Sequence, residues 1–354
     1  MYEAITIKDI ARALGLSTST ISRALRGSHE ISPETKKLVM EYAEQYNYRP
    51  NPIALSLKER RSRSIGVVVC EIANNFFSQA INGIESIAYN RGYHVIISQS
   101  HESYDREVVN VEHLSSRSVD GLLVSLSTET DHVEHFKKLH EKGLPIVFFD
   151  RVTDEINTHK VVVDNYKGAY DAIQHLINAG YKKIAHLTSS AHLSISRERL
   201  VGYRAALTEN NIPVNESYIK YCNHGGMIIG EIENAIKELM QLKEKPDAIF
   251  CAGDRLTLSC LSSLKALNIK VPADIGLVGF TNSALVELIE PSLTAVKQPA
   301  FEMGQVATEL LIKLIESKRP VTEFETVVLQ TETCIRNSTV KRSAEKKDKQ
   351  KTRA

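Results

Sequence analysis

The chain has 354 residues, 42% of them hydrophobic and 25% charged, enough to bury a sizeable core in two or three domains. Five scattered cysteines without a C-x-x-C pair exclude a disulfide framework and a zinc ribbon, and the absence of an export leader or of any run of 18 apolar residues points to a cytoplasmic protein without a membrane span. The formal charge of +1 hides a division: residues 1–64 hold 11 Lys/Arg against 7 Asp/Glu, residues 341–354 hold 7 against 2, and the body between them is net acidic, so only part of the molecule suits a polyanion.

The first predicted element lies in "TIKDIARALG", where Thr6 caps a helix whose Ile7, Ile10, Ala11 and Leu14 repeat at i, i+3, i+4, i+7, and Gly15 ends it. A second helix follows in "STSTISRALRGS". Hydroxyls fill five of its first six positions, although Ser and Thr compete locally for backbone hydrogen bonds. Ser17 is a good cap, Ile21, Ala24 and Leu25 form an apolar side, and Thr18, Ser19, Ser22 and Arg23 share the opposite one. Side chains this short let a helix sink into the DNA major groove, and Arg23 can fork onto guanine. Ser32 and Pro33 open a third helix with a stripe of Leu38, Val39, Tyr42, Ala43 and Tyr46. Residues 5–50 therefore read as a three-helix, helix-turn-helix head.

In "YRPNPIALSLKERRSRS", Asn51 caps and Pro52 starts a helix of two or three turns, too short to be stable alone in water. Ile53 and Leu57 stand one turn apart among Lys58, Arg60, Arg61 and Arg63, and an apolar wedge flanked by cations suits a minor-groove, DNA-kinking element. Residues 51–63 are read as hinge helix and linker, with a plain basic linker as the bland alternative.

From Ile65 the texture turns to short β-rich runs, "SIGVVV", "GYHVIIS", "VDGLLVS", "LPIVFFD", "KVVVD", "KIAHLTS", "DAIFCAG" and "IGLVGF", each expected to be followed by a helix. That spacing predicts parallel sheet covered by helices, and residues 64–340 are too many for one sheet, so two Rossmann-like lobes with a cleft between them are expected. Ligands in such sheets sit beyond the carboxyl ends of the strands, where this chain places Asp150, Asp164, Asn165, Asp254, Thr281 and Asn282, with Phe76 and Phe77 after the first run. Acidic and amide groups can hold the hydroxyls of a sugar and an aromatic ring can cover its C–H face, although an Asp at a strand end can also do no more than cap the next helix. The last segment, residues 341–354, is basic, lacks an apolar face and is expected to be a disordered, solvated end.

No G-x-S-x-G, G-x-G-x-x-G or P-loop signature occurs, which removes the main support for an enzyme, and no cofactor is expected. His132, His135 and His140 lack the spacing of a metal site and are read as a solvated helix face.

The run from "TIKDIARALG" through "RPNPIALSLK" resembles, without a gap, the head and hinge of the lactose-repressor family of bacterial transcription regulators, and "IGVVVCEIANNFFSQAINGIESIAYNRGY", "SRERLVGYRAAL" and "ADIGLVGFTNSALVELIEPSLTAVKQP" resemble its periplasmic-binding-protein-like effector domain. The resemblance implies an α/β fold and a homodimer, with tetramers left open, acting as a repressor on near-palindromic operator DNA under the control of a small sugar or related effector. It places base reading on Thr18, Ser19 and Arg23, backbone contacts on Thr20, Ser22 and His29, and the wedge on Leu57 beside Lys58. It also implies that Arg197 clamps the effector, that Asp150 lies in the cleft and that Phe76 and Phe77 line one wall. Leu55, Thr281 and Gly253 depart from the family pattern, Thr281 by lacking an effector-binding carboxylate, so an unusual effector is expected. An extracytoplasmic sugar-binding protein and a sugar-metabolising α/β enzyme are the rival readings.

Overall fold

The computed structural model describes residues 5–48 and 61–341. The chain divides into two compact units, Met1–Ser62 and Arg63–Ala354.

In the first unit, α1 (Ile7–Leu14), α2 (Thr18–Leu25) and α3 (Pro33–Gln45) close on one small core of Ile10, Ala11, Ile21, Ala24 and Val39. Each helix is started by its own sequence. Thr6 and Asp9 form a capping box, the Ser17 hydroxyl accepts from the Thr20 N–H, and Ser32 accepts from the Thr35 N–H with Pro33 in the first turn. Gly15 ends α1 at φ +64°, a left-handed conformation that costs a glycine nothing. The expected stripe on α3 is narrower than its spacing suggests: Val39 and Ala43 are buried, whereas Leu38 and Tyr46 are about half exposed. A core supplied by two eight-residue helices is too small to cover all five side chains.

The second unit holds twelve described strands: β1 (Ser64–Val69), β2 (His94–Gln99), β3 (Gly121–Val124), β4 (Ile146–Phe149), β5 (Lys160–Val163), β6 (Ile184–Thr188), β7 (Ile219–Tyr221), β8 (Ala248–Cys251), β9 (Gly276–Phe280), β10 (Thr294–Lys297), β11 (Thr326–Leu329) and β12 (Glu332–Cys334). They make two six-stranded sheets, β11-β5-β4-β3-β1-β2 in lobe 1 and β12-β10-β9-β8-β6-β7 in lobe 2. All pairings are parallel except β10 with β12. The central strands are buried and almost wholly apolar, His186 and Thr188 of β6 being exceptions, because helices cover both faces of each sheet. One expectation fails between β4 and β5, where no helix intervenes in residues 150–159.

The topology puts three crossings between the lobes. The chain leaves lobe 1 after β5, returns after β10, and leaves again between β11 and β12. The helix at 300–316, although it follows a lobe 2 strand, packs on the helix at 75–90 in lobe 1, and the helix at 165–178 packs on that at 194–209 in lobe 2. At the second contact Gly202 has no room for a side chain: a Cβ there would lie 2.3 Å from the Tyr166 carbonyl oxygen. Of the five free cysteines, four are buried and Cys334 is partly so.

Candidate nucleic-acid interface and ligand cleft

On α2 the apolar and hydroxyl sides separate as the spacing predicts. Ile21 and Ala24 are buried, while Thr18, Ser19 and Arg23 are exposed and Thr20 and Ser22 partly so. The Ser17 hydroxyl, besides capping, lies 2.7 Å from that of Ser19 and 2.8 Å from that of Thr20. These contacts hold the first turn's hydroxyls in fixed positions before any partner arrives. Arg23 pairs with Glu30 at 3.1 Å, and Arg26 folds back onto the Ser22 carbonyl oxygen at 3.1 Å. His29 is exposed in the loop after α2. Asn51, Leu57 and Lys58 lie outside the described residues, as does the tail from 342 onward.

The second unit has a cleft between its lobes at the carboxyl ends of the strands, with about 610 Å³ of space counted out to its open mouth. Lobe 1 contributes Glu71, Phe76, Phe77, Glu102, Asp150 and Arg151; lobe 2 contributes Ser189, Arg199, Asp254 and Arg255, and Gln298 comes from the second crossing. Asn74 starts the helix that carries the two rings by accepting from the Phe76 N–H at 2.9 Å, and the rings meet edge to face at 5.2 Å. Asp150 ends β4 at φ +60°, and its burial raises the carboxyl above the usual carboxylate range against the pull of Arg151 and Arg199.

Arg199 is the most constrained group in the cleft. Nε donates to Asn165 Oδ1 at 2.9 Å, Nη1 to the Ala252 carbonyl oxygen at 2.7 Å and Nη2 to Gln298 Oε1 at 2.9 Å, and the guanidinium lies 3.7 Å from the centroid of the Phe280 ring. Burial pulls its pKa down to about 10, partly offset by Asp150. Three of its five N–H groups are committed, which leaves one on each terminal nitrogen for a ligand.

This corrects the expectation for Arg197, which is exposed, bonds the His192 carbonyl oxygen and does not line the cleft. The buried face of its helix is Ile195, Ser196, Arg199, Gly202, Tyr203, Ala206 and Leu207. Arg199 is in phase with that helical period and Arg197 is not. Thr281 and Asn282 also stand behind the cleft rather than on it. Thr281 donates to Asp254, whose carboxyl burial raises, while the Asn282 side chain donates to Gln79 Oε1 at 2.8 Å and to the Gln298 carbonyl oxygen at 2.7 Å. Asp164 caps the helix at 165–178 by accepting from the Lys167 N–H, the role its position at a strand end also allowed.

Sequence reasoning missed Arg151 and Glu102. Arg151 forks onto Glu102 at 2.6 and 3.1 Å, and Glu102 also accepts from the Thr128 N–H and hydroxyl at 2.9 and 2.7 Å. Burial works most strongly against the Glu102 carboxylate, but Arg151 and the hydrogen bonds from Thr128 together outweigh it and hold the pKa below the usual range. The only linear signal was the Arg that follows Asp150 in "FFDR". His135 is a further correction: it is buried rather than solvated and lies 3.0 Å from the wholly buried Glu107. Among the described residues no cluster of His, Cys, Asp or Glu could hold a metal ion, and no helix is long and apolar enough to cross a membrane.

Comparison with known proteins bears on both units. Residues 6–51 match the bacterial regulatory proteins of the lacI family, and residues 173–339 match a periplasmic binding protein-like domain. Catabolite control protein A of Priestia megaterium is 32% identical over 318 residues, covering 89% of this chain and 93% of its own. The chain belongs to the lacI family. The HTH-type transcriptional repressor PurR of Vibrio campbellii is likewise 32% identical, over 95% of this chain and 99% of its own. Among solved structures, a transcriptional regulator CelR–cellobiose complex superposes with a TM-score of 0.70 at 29% identity, covering 94% of this chain and 99% of that one. As a lacI-family protein the chain is a DNA-binding transcription regulator and not an enzyme. The hydroxyl-bearing α2 is the second helix of its helix-turn-helix head, and the two-lobed unit is its effector domain.

Proposed function

We propose that this regulator represses transcription in the cytoplasm as a homodimer, reading a near-palindromic operator with paired α2 helices and releasing or tightening its hold when an uncharged, hydroxyl-rich effector occupies the cleft. In this reading Thr18, Ser19 and Arg23 meet base edges, Thr20, Ser22 and His29 meet the phosphate backbone, and Leu57 with Lys58 wedges the minor groove from a hinge that Asn51 caps. The effector lies against Phe76 and Phe77, between Asp150 and Arg199, with Asp254 beyond.

The observation that carries the effector reading is Arg199, a buried guanidinium held by three neutral acceptors with two donors left over in a cleft. The charges around it favour an uncharged ligand. Arg151 and Arg255 already face Glu102 and Glu71, so a phosphate would meet Asp150 and Asp254 with no unpaired cation but Arg199. The cellobiose in the CelR complex is of this chemical class. The test is selection of bound fragments from the source genome, followed by gel shifts on the selected operator with neutral sugars and their phosphorylated forms. A neutral sugar should change operator affinity; a response confined to the phosphorylated forms overturns the effector class, and failure to retain any fragment overturns operator reading.

A further inference from the structure

Besides the Gln79–Asn282 pair behind the cleft, two contacts among the described residues bridge the lobes, and neither uses the groups assigned to the effector. Glu71 follows β1 in lobe 1, and Arg255 is the second residue of the helix at 254–266 in lobe 2; the two form an ion pair across the gap. Outside the residues that line the cleft, His192 of lobe 2 donates from Nε2 to the carbonyl oxygen of Thr128 in lobe 1, while its Nδ1 lies 2.8 Å from the Ser190 hydroxyl. Ser190 donating to Nδ1 leaves the proton on Nε2, the tautomer the bridge requires.

The lobe 1 ends of both bridges are fixed by their surroundings. Thr128 sits in a loop pinned by two carboxylates: Glu102 takes the Thr128 N–H and hydroxyl, and the wholly buried Glu107 takes the Ser127 N–H and hydroxyl at 2.7 Å each and the Thr130 hydroxyl at 2.8 Å. Glu71 is only 17% exposed at its side chain and lies on the rigid exit of a central strand. Arg255 is more open, at 35%, so the pair sits toward solvent, where it can break and remake.

We infer that the Glu71–Arg255 and Thr128–His192 bridges are an interlobe clasp that favours the closed cleft in the absence of any ligand, so that both residue pairs set how often the cleft opens to admit an effector. This goes beyond the effector reading and does not depend on which molecule binds. A partly exposed ion pair shifts the closed-to-open ratio by about 2- to 5-fold, enough to tune a two-state element without locking it. Because it is electrostatic, its share fades with added salt while the Thr128–His192 hydrogen bond persists.

The test is amide hydrogen exchange on the full-length, ligand-free protein. Glu71→Gln and Arg255→Met should each raise exchange about 2- to 5-fold in the cleft-facing segments 71–77 and 252–256 of both lobes, leaving β3 and β9 in the cores as in the parent. The charge swap Glu71→Arg with Arg255→Glu should return exchange toward the parent value, and 0.5 M salt should loosen the parent but not the Glu71→Gln protein. Parent-like exchange in both single variants, or no recovery in the swap, overturns the clasp. Exchange that rises equally in the core strands also counts against it, because the pair then supports the fold and not lobe closure. None of these outcomes involves a sugar, so a failed effector reading would leave the result standing.

Discussion

The Arg199 guanidinium lies over the Phe280 ring, 3.7 Å from its centroid, while its three nitrogens donate to Asn165, Ala252 and Gln298. The lobe 2 helix that delivers the arginine, the strand that ends in the ring and the crossing that carries Gln298 thus meet at one cation.

Replacing that cation should separate effector response from DNA binding. Arg199→Lys keeps a charge but loses the planar fork, and leaves buried acceptors short of donors. We expect a stability loss of about 1–3 kcal/mol in urea unfolding, an operator affinity that persists, and no change in that affinity on adding effector. A variant that still responds would remove Arg199 from the binding set.

In the head, Arg23 and Glu30 are each about half exposed, so their ion pair adds little to stability. It matters for the proposed base reading, in which Arg23 leaves Glu30 to reach a base. Glu30→Gln should raise affinity for non-specific duplex several-fold at low salt while unfolding shifts by no more than about 0.5 kcal/mol. Arg23→Ala should cost about 1–3 kcal/mol at one base pair per half-site, read by binding to a panel of substituted operators.

His186 lies stacked between Tyr203 and Phe250, with ring centroids 5.0 and 4.9 Å away, and burial drops its pKa to about 3. The unfolded chain takes up a proton on this ring below about pH 6.5, and the folded protein does not until about pH 3, so the stability tied to the neutral ring is lost as pH falls through that window. Between pH 7 and pH 5 the loss is about 2 kcal/mol. Chemical unfolding of His186→Phe against the parent at the two pH values should show the variant gaining by that amount on acidification; parallel curves would refute it.

Glu102 behaves with the opposite chemistry and the same acid limb. Its folded pKa lies below the ordinary 4.5, so the stability from its pairing is fully present above that value and is lost as pH falls through the lower, folded one. Glu102→Gln should cost roughly 3–5 kcal/mol at pH 7, since it leaves Arg151 buried without its carboxylate, and the gap from the parent should narrow below about pH 4.5. A gap that stays constant with pH would show that the loss is steric.

Much of this was legible in the linear chain, and the failures have physical reasons. The head could be read because its signals are local: a hydroxyl cap, a helical apolar period and a terminating glycine lie within a few residues of one another. Four strands escaped: those at 219–221, 326–329 and 332–334 are short and join a sheet edge, where no continuous apolar run is needed, whereas β10 at 294–297 lies inside its sheet but offers only four residues bounded by Thr294 and Lys297. The cleft was found at the correct strand ends, and Phe76, Phe77, Asp150 and Asp254 do line it. The resemblance points to Arg197, but the two arginines of "SRER" stand two residues apart and only the burial period of the helix, fixed by Ile195, Gly202 and Ala206, selects Arg199. Glu102 was invisible because its partner is 49 residues away and only the topology joins them.

The three crossings carry a further consequence. Lobe 1 is assembled from two separate stretches of chain, with β11 added from beyond the second lobe's last helix-bearing segment, and lobe 2 is interrupted in turn by the helix at 300–316. No single cut liberates either half with its sheet intact. Exchange of halves between relatives by simple recombination would therefore leave each hybrid with a border strand inherited from the other parent, and a pivot built from three cords resists the free swivel that one tether would allow.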